Sequence, residues 1–309
     1  MLGKFTVFIF FLLLIWGNLV AGLGAGLACP DWPLCHGNII PPFRFDIFME
    51  WMHRTIGLVA SIFLVVLSYK RFRNYEGFAK VVPVFTVLLL LVQIVMGGIV
   101  VLLELPVNIT TVHFGTALII FSLVLYMAFF DGKEKEPTFS IKGFKGLFIL
   151  LGILVFCQAV LGAYVRHSQA GLACPDFPTC LGYLIPPELS GTVLTHFLHR
   201  TLAYFIFVTV ILLYAFSYLS TSLWYYRRWI LTLAGLILFQ ILLGVSVIHS
   251  KLHFSATAFH LGAALSILSM TLYLWFQEMI RGEEESEKVE NLFTYTNEMQ
   301  EMRGEGKRV

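Results

Sequence analysis

Eight apolar runs dominate the chain, at residues 4–23, 46–69, 81–103, 110–130, 147–166, 191–217, 230–249 and 254–279. Each is long enough to cross about 30 Å of hydrocarbon at 1.5 Å per helical residue. In lipid the backbone must satisfy its own hydrogen bonds, and a helix does so within itself. The fold class that follows is an all-α polytopic membrane protein with eight transmembrane helices. Composition agrees: 58% of the 309 residues are apolar and 13% are charged, where a soluble domain carries about a quarter charged. A water-soluble globular enzyme, a disordered chain and a nucleic-acid binder with a concentrated basic face are all excluded. The first run follows Lys4 and ends in small residues before Cys29, as a secretory signal would. The repeat described below requires this helix, so we read it as retained.

Basic residues orient the spans. With the N-terminus inside, the inner loops hold Lys70, Arg71, Arg73 and Lys80, then Lys133, Lys135, Lys142 and Lys145, then Arg227 and Arg228. The outer segments hold Arg44, Arg166 and Lys251. Positive charge stays inside, so both termini are expected in the cytoplasm of a multi-pass plasma-membrane protein. From Arg281 the chain is polar and rich in glutamate (Glu283, Glu284, Glu285, Glu287), which reads as a solvated, poorly ordered tail without chemistry.

The chain is an internal duplication. Residues 26–42, GLACPDWPLCHGNIIPP, match residues 171–187, GLACPDFPTCLGYLIPP, at an offset of 145. One insertion later, His53-Arg54-Thr55 matches His199-Arg200-Thr201, and Gln93…His113 matches Gln240…His260. Four spans per half is an even number, so the halves share one orientation, unlike inverted transporter repeats. The expected organisation is two tandem four-helix bundles, residues 1–130 and 147–280, related by a pseudo-two-fold axis along the membrane normal. A charged linker at 131–146 and a tail at 281–309 complete it.

Four of the five cysteines form two C-x5-C pairs, Cys29/Cys35 and Cys174/Cys180, in the two long outer loops. An oxidising compartment permits disulfides there. A redox-active dithiol and a metal site stay open beside structural disulfides; C-x-x-C-H haem attachment does not fit the spacing. Cys157, in the middle of the fifth span, reads as a small apolar residue.

Four histidines, His53, His113, His199 and His260, lie inside even-numbered spans near their outer ends. Ionisable groups at such depth mark function by default. In each half two of them reach one level from two parallel helices, the way a four-helix bundle grips a haem edge-on between two imidazoles. Four residues after each comes a small one, Gly57, Ala117, Ala203 and Ala264, which leaves room for a flat macrocycle. Arg54 and Arg200 follow two of the histidines and suit haem propionates. The odd spans carry Asn18-x3-Gly22, Gln93-x3-Gly97, Gln158-x3-Gly162 and Gln240-x3-Gly244, a pattern for close helix approach with an interhelical hydrogen bond. His36, His167, His196, His249 and His253 receive no role.

Function is expected where the repeat breaks. The first half has Glu50-x-x-His53, the second His196-x-x-His199. At i and i+3, Glu50 shares a face with His53, and a buried carboxylate there can relay protons or stabilise a developing cation. This predicts a site of chemistry in the first half and an electron-transfer haem in the second.

The tandem C-P-D-[WF]-P-x-C loops, the E-x-x-H-R-T helix and the duplicated histidines resemble the haem A synthase family of bacterial cytochrome oxidase assembly, over nearly all of residues 1–280. The resemblance implies that a ring methyl of haem O is oxidised to the formyl group of haem A, by successive hydroxylations and loss of water from the gem-diol. It implies that His53 and His113 flank substrate haem, that His199 and His260 ligate a resident haem b, and that Glu50 is the catalytic carboxylate. Haem O synthase would deliver the substrate, and a quinol or a ferredoxin-like protein would supply electrons. An assembly of like chains stays open. The first loop departs from the family: Gly22–Gly26 is glycine-rich where a more polar, arginine-containing stretch is expected.

Two other classes compete. A di-haem b-type carrier passing electrons from quinol to an external acceptor explains four histidines but not Glu50. A haem transporter leaves the paired cysteine loops unexplained.

Overall fold

The computed structural model describes residues 1–130, 144–219 and 221–305. Eight long helices make up almost all of it: α1 Leu2–Gly22, α2 Phe45–Asn74, α3 Val81–Leu102, α4 Val107–Phe129, α5 Phe144–His167, α6 Gly191–Phe216, α7 Arg227–His249 and α8 Phe254–Glu305. All eight contain a stretch long and apolar enough to cross a membrane. No strand is present among the described residues, only isolated backbone bridges in the two cysteine loops. The protein is therefore an all-helical, multi-pass membrane protein, as the eight apolar runs require.

The ends differ from the hydropathy reading in two places. Helix α2 runs five residues beyond the apolar run because Arg71 and Arg73 occupy its last turn, where cations complement the helix C-terminus. Arg71 Nε also donates to Met127 O (2.7 Å) on α4. Helix α8 continues to Glu305, so the expected poorly ordered tail is drawn as helix as far as that residue. Its physical reason is composition: between Gly282 and Gly304 no glycine or proline interrupts a segment rich in glutamate and methionine. The expected linker 131–146 lies outside the described residues up to 143, and α5 already begins at Phe144.

Packing follows the duplication. In the first half α1 packs on α2 and α4, and α3 on α2 and α4; in the second, α5 packs on α6 and α8, and α7 on α6 and α8. The halves meet through α1 against α8, α4 against α5, and α4 against α8. Glycines set two of these meetings in matching positions. A Cβ at Gly115 (α4) would lie 3.6 Å from Val160 (α5), and one at Gly262 (α8) 3.5 Å from Ile15 (α1). A shared apolar core runs through both halves, including Leu64, Leu118, Phe121, Phe148, Val210 and Leu265.

The turn after α3 and the turn after α7 are also copies. Glu104-Leu105 and Lys251-Leu252 all take positive φ, and Leu105 N and Leu252 N each donate to a carbonyl five residues back (2.8 Å). The two leucines then press on Gly26 and Gly171, where a Cβ would stand 3.3 Å and 2.8 Å from them. At the second site a side chain larger than glycine's would require the Leu252 side chain to shift.

Candidate functional site

Each cysteine loop is built around one aspartate. Cys35 and Asn38 exchange backbone hydrogen bonds (3.1 Å each) across His36-Gly37, both at positive φ; Cys180 and Tyr183 do the same across Leu181-Gly182. Two residues at positive φ define a type I′ turn. Asp31 accepts from the amides of His36 (2.6 Å) and Gly37 (2.7 Å), and Asp176 from Leu181 (2.7 Å) and Gly182 (2.8 Å). The Gly37 amide is the main reason Asp31 titrates below the ordinary 3.8. The Thr179 hydroxyl leads for Asp176, which falls to about 2. Disulfides Cys29–Cys35 and Cys174–Cys180 close the two loops, so the cysteines pair within their own loops. Among the described residues no cluster of three or more His, Cys, Asp or Glu side chains could hold a bare metal ion.

An arginine anchors each loop to the helix below. Arg54 donates from Nη1 to Asp31 O (2.7 Å) and Leu34 O (2.6 Å), from Nη2 to Cys29 O (2.8 Å), and from Nε to Glu50 Oε1 (2.9 Å). Arg200 donates from Nη1 to Asp176 O (2.7 Å) and Thr179 O (2.8 Å), and from Nη2 to Cys174 O (2.5 Å). Its Nε meets His196 Nε2 (3.2 Å). Four of the five N–H donors of each guanidinium thus face protein acceptors. The propionate role expected of Arg54 and Arg200 is thereby reduced to one remaining N–H apiece, because the loop carbonyls hold the rest.

The four histidines each press on a glycine of the neighbouring odd helix. A Cβ would lie 2.9 Å from His53 Cε1 at Gly17, 3.4 Å from His113 Cε1 at Gly97, 3.0 Å from His199 Cε1 at Gly162, and 3.3 Å from His260 Cε1 at Gly244. This corrects the first motif of the odd helices. Gly17, not Gly22, lies 145 residues before Gly162, and it is Gly17 that yields its side-chain space to a histidine. Asn18 consequently makes no such bond, and its Oδ1 is buried without a partner. The glutamines behave as expected: Gln93 Nε2 donates to His113 O (3.1 Å) and Gln158 Nε2 to His199 O (2.9 Å), and Gln240 Nε2 stands 3.3 Å from His260 Nε2. The first-half counterpart of Gln158 is Leu13, which faces Gly57.

The histidines fall two to each half, His53 and His113 on α2 and α4, and His199 and His260 on α6 and α8. In all four, Nδ1 is buried with no hydrogen-bond partner, as is Oε1 of Gln93, Gln158 and Gln240. Unpartnered buried polar atoms are costly, and seven in two matched clusters describe sites shaped for a polar guest. Two imidazoles on facing helices, flanked by glycine and alanine, fit a haem. Glu50 and His196 occupy equivalent places and both are 5% exposed; only the first half therefore has a carboxylate on its arginine.

This fold and these paired sites define a membrane-embedded, haem-handling helical protein. The model of the cytochrome oxidase assembly protein family matches residues 2–272, and the chain belongs to that family. It is 31% identical over 291 residues to a haem A synthase of Bacillus licheniformis, covering 88% of this chain and 94% of the relative. Over 285 residues it is 31% identical to a haem A synthase of Halalkalibacterium halodurans (87% and 93% covered). Over 265 residues it is 31% identical to that of Bacillus pumilus (82% and 86%).

Proposed function

We infer that the protein is a haem A synthase, an oxidoreductase that converts a ring methyl of haem O to the formyl group of haem A. The observation that carries this is the set of four histidines, each against a glycine with an unpartnered Nδ1, joined to the break in the repeat at Glu50. The halves act as two four-helix units, 1–130 and 147–280, related by a pseudo-two-fold axis along the membrane normal. The copied glycine contacts Gly115–Val160 and Gly262–Ile15 support that arrangement.

In the first unit His53 and His113 flank the substrate haem. In the second His199 and His260 ligate a haem b, which when bound supplies one-electron transfer toward the first site. Glu50 is the catalytic carboxylate, placed one helical turn from His53, and it takes or returns a proton at a carboxylate oxygen. Arg54, on Oε1, fixes the orientation of that carboxylate and balances its charge while the site excludes water. Oxidation proceeds by successive hydroxylations. The cysteine loops lie outside the plasma membrane, both termini are cytoplasmic, haem O arrives from its own synthase, and a quinol or ferredoxin-like donor supplies electrons.

Pyridine-haem analysis of the purified protein tests this. Haem A or its hydroxylated precursor beside haem B is the expected result. Haem B alone would turn the reading to the electron carrier, and no haem at all would turn it to a transporter.

A further inference from the structure

The halves also differ at the membrane edge opposite the cysteine loops. In the first half the corner between α2 and α3 is closed by the chain itself. Arg71 Nε donates to Met127 O (2.7 Å) and the Tyr75 hydroxyl to Phe130 O (2.6 Å), and Glu76 stands among the basic residues there. The corner between α6 and α7 opens outward instead. From Ser217 to Ile230 it contains no acidic residue, and Trp224 and Tyr225 are 61% and 60% exposed. With Arg227, Arg228 and Trp229 they line a cleft of about 310 Å³, far more than one water needs.

The walls of this cleft are held by the bundle. Trp229 packs edge-on against Tyr273 of α8 (5.7 Å). Tyr225 rests on Tyr226 (5.0 Å), which is buried against Phe148 of α5 (5.6 Å). The Arg227 guanidinium carbon lies 4.8 Å from the Tyr218 ring centre and 5.7 Å from that of Trp224, a stacking that fixes the fork without using its N–H groups. The charges themselves are uncompensated: among the described residues no carboxylate lies within ion-pair distance of Arg227 or Arg228. Nor does the helix help, since cations are favoured at a C-terminus, and these stand at the start of α7 with no acidic residue in its first turn. The place in the membrane says which anion fits. The apolar run of α7 begins at residue 230, so both guanidinium groups lie at the edge of the hydrocarbon, where Trp and Tyr collect at headgroup level. Basic pockets at that depth take lipid phosphates, and the exposed side chains of Phe216 and Leu231 offer apolar surface to the chains.

We propose that this cleft binds the phosphate headgroup of an anionic phospholipid in the leaflet opposite the cysteine loops. Arg227 and Arg228 donate to the phosphate oxygens, and the rings of Trp224 and Trp229 flank the headgroup. Neither arginine belongs to the histidine sites, so the lipid site stands whatever those sites hold.

The full-length protein in detergent is titrated with phosphatidylglycerol and, separately, with phosphatidylcholine of the same chains, whose choline cancels the phosphate charge. Lipid adducts are followed by native mass spectrometry. The expected result is that the first phosphatidylglycerol binds roughly tenfold or more tightly than phosphatidylcholine, the scale of a hydrogen bond to a charged group. Arg227→Gln with Arg228→Gln should remove that preference and leave phosphatidylcholine binding unchanged, and the corresponding pair of lysine substitutions should restore part of it. Lys70→Gln with Arg73→Gln, at the closed corner of the first half, should leave the preference intact. An equal loss in that control would show diffuse attraction to a basic face and overturn the proposal. So would equal weakening of both lipids by the glutamine pair, which marks a packing role, or an unchanged preference. Inorganic phosphate at the same concentration should not displace the lipid; displacement would make the cleft a site for soluble phosphate and also overturn the proposal. If the paired variant does not fold, Arg228→Gln alone, at an exposed side chain, carries the same expectation of a weakened preference.

Discussion

The two halves build the same apparatus around Arg54 and Arg200 and part company at one partner. Each arginine gathers three carbonyls of a disulfide-closed loop. Each then turns its Nε to the residue four positions before it, Glu50 in one half and His196 in the other. In the first half the guanidinium charge is balanced by a mostly buried carboxylate; in the second it meets an imidazole. The shared parts hold the two loops to their helices, and the unshared one is where we propose that the chemistry is placed. A second contrast runs parallel to it. Gln158 braces the His199 backbone (2.9 Å) in the second half, while its first-half counterpart Leu13 braces nothing polar; in the first half Gln93 braces the His113 backbone (3.1 Å), so each half steadies a different one of its two histidines.

The comparison is broken most severely at the second-half ligands. His199→Ala or His260→Ala should abolish the low-spin haem b absorbance while leaving the protein in the membrane. A wild-type spectrum in either variant would overturn the assignment of that histidine as a haem b ligand. Next comes the carboxylate. Glu50→Gln keeps an acceptor for Arg54 Nε but loses the proton and the charge, so turnover should fall on the order of 10²–10⁴ with haem b intact. His196→Gln should leave turnover nearly unchanged. Haem A at wild-type levels from Glu50→Gln would make the break in the repeat structural only.

Smaller effects grade the arginines. Arg54→Ala strands Glu50 as an unpaired, mostly buried carboxylate, so it should destabilise the protein by about 3–5 kcal/mol. Arg200→Ala strands a neutral imidazole and should cost less. Thermal unfolding of the two variants in detergent compares them directly, and equal losses would show that the ion pair adds nothing to the anchor. The smallest expected effect is on acid stability of the loops. Asp176 titrates near 2 in the fold against 3.8 ordinarily. Its folded value is depressed, so its contribution is present above about 4 and is lost as pH falls through about 2. Hydrogen exchange at Leu181 and Gly182 should rise over that window, and Asp176→Asn should remove the pH dependence.

Much of this was legible from the chain. Eight apolar runs leave no alternative to eight spans, because lipid offers the backbone no other partners, and the cysteine loops announce themselves by an exact repeat of spacing. What escaped the sequence is register and commitment. Asn18-x3-Gly22 looks like its three counterparts as a motif, yet the helix that must clear His53 does so at Gly17, and only the 145-residue offset, applied strictly, would have found it. Arg54 and Arg200 sit next to proposed ligands, which suggested propionates. The acceptors they actually meet are main-chain carbonyls of a loop some twenty residues away, and carbonyls carry no sequence signal. The helix beyond Arg281 was missed because charge density argues for solvation and says nothing about whether the solvated backbone coils or winds.

The matched contacts Gly115–Val160 and Gly262–Ile15 carry a last consequence. They are what a two-fold homodimer would make, each partner giving the other the same glycine and receiving the same aliphatic side chain. In such a dimer every substitution arrives twice, so a carboxylate beside one site would stand beside both. Joining the copies into one polypeptide removes that bond between them. Glu50 on one side with His196 on the other, and Leu13 where the other half has Gln158, are arrangements open only to a chain whose halves are free to diverge.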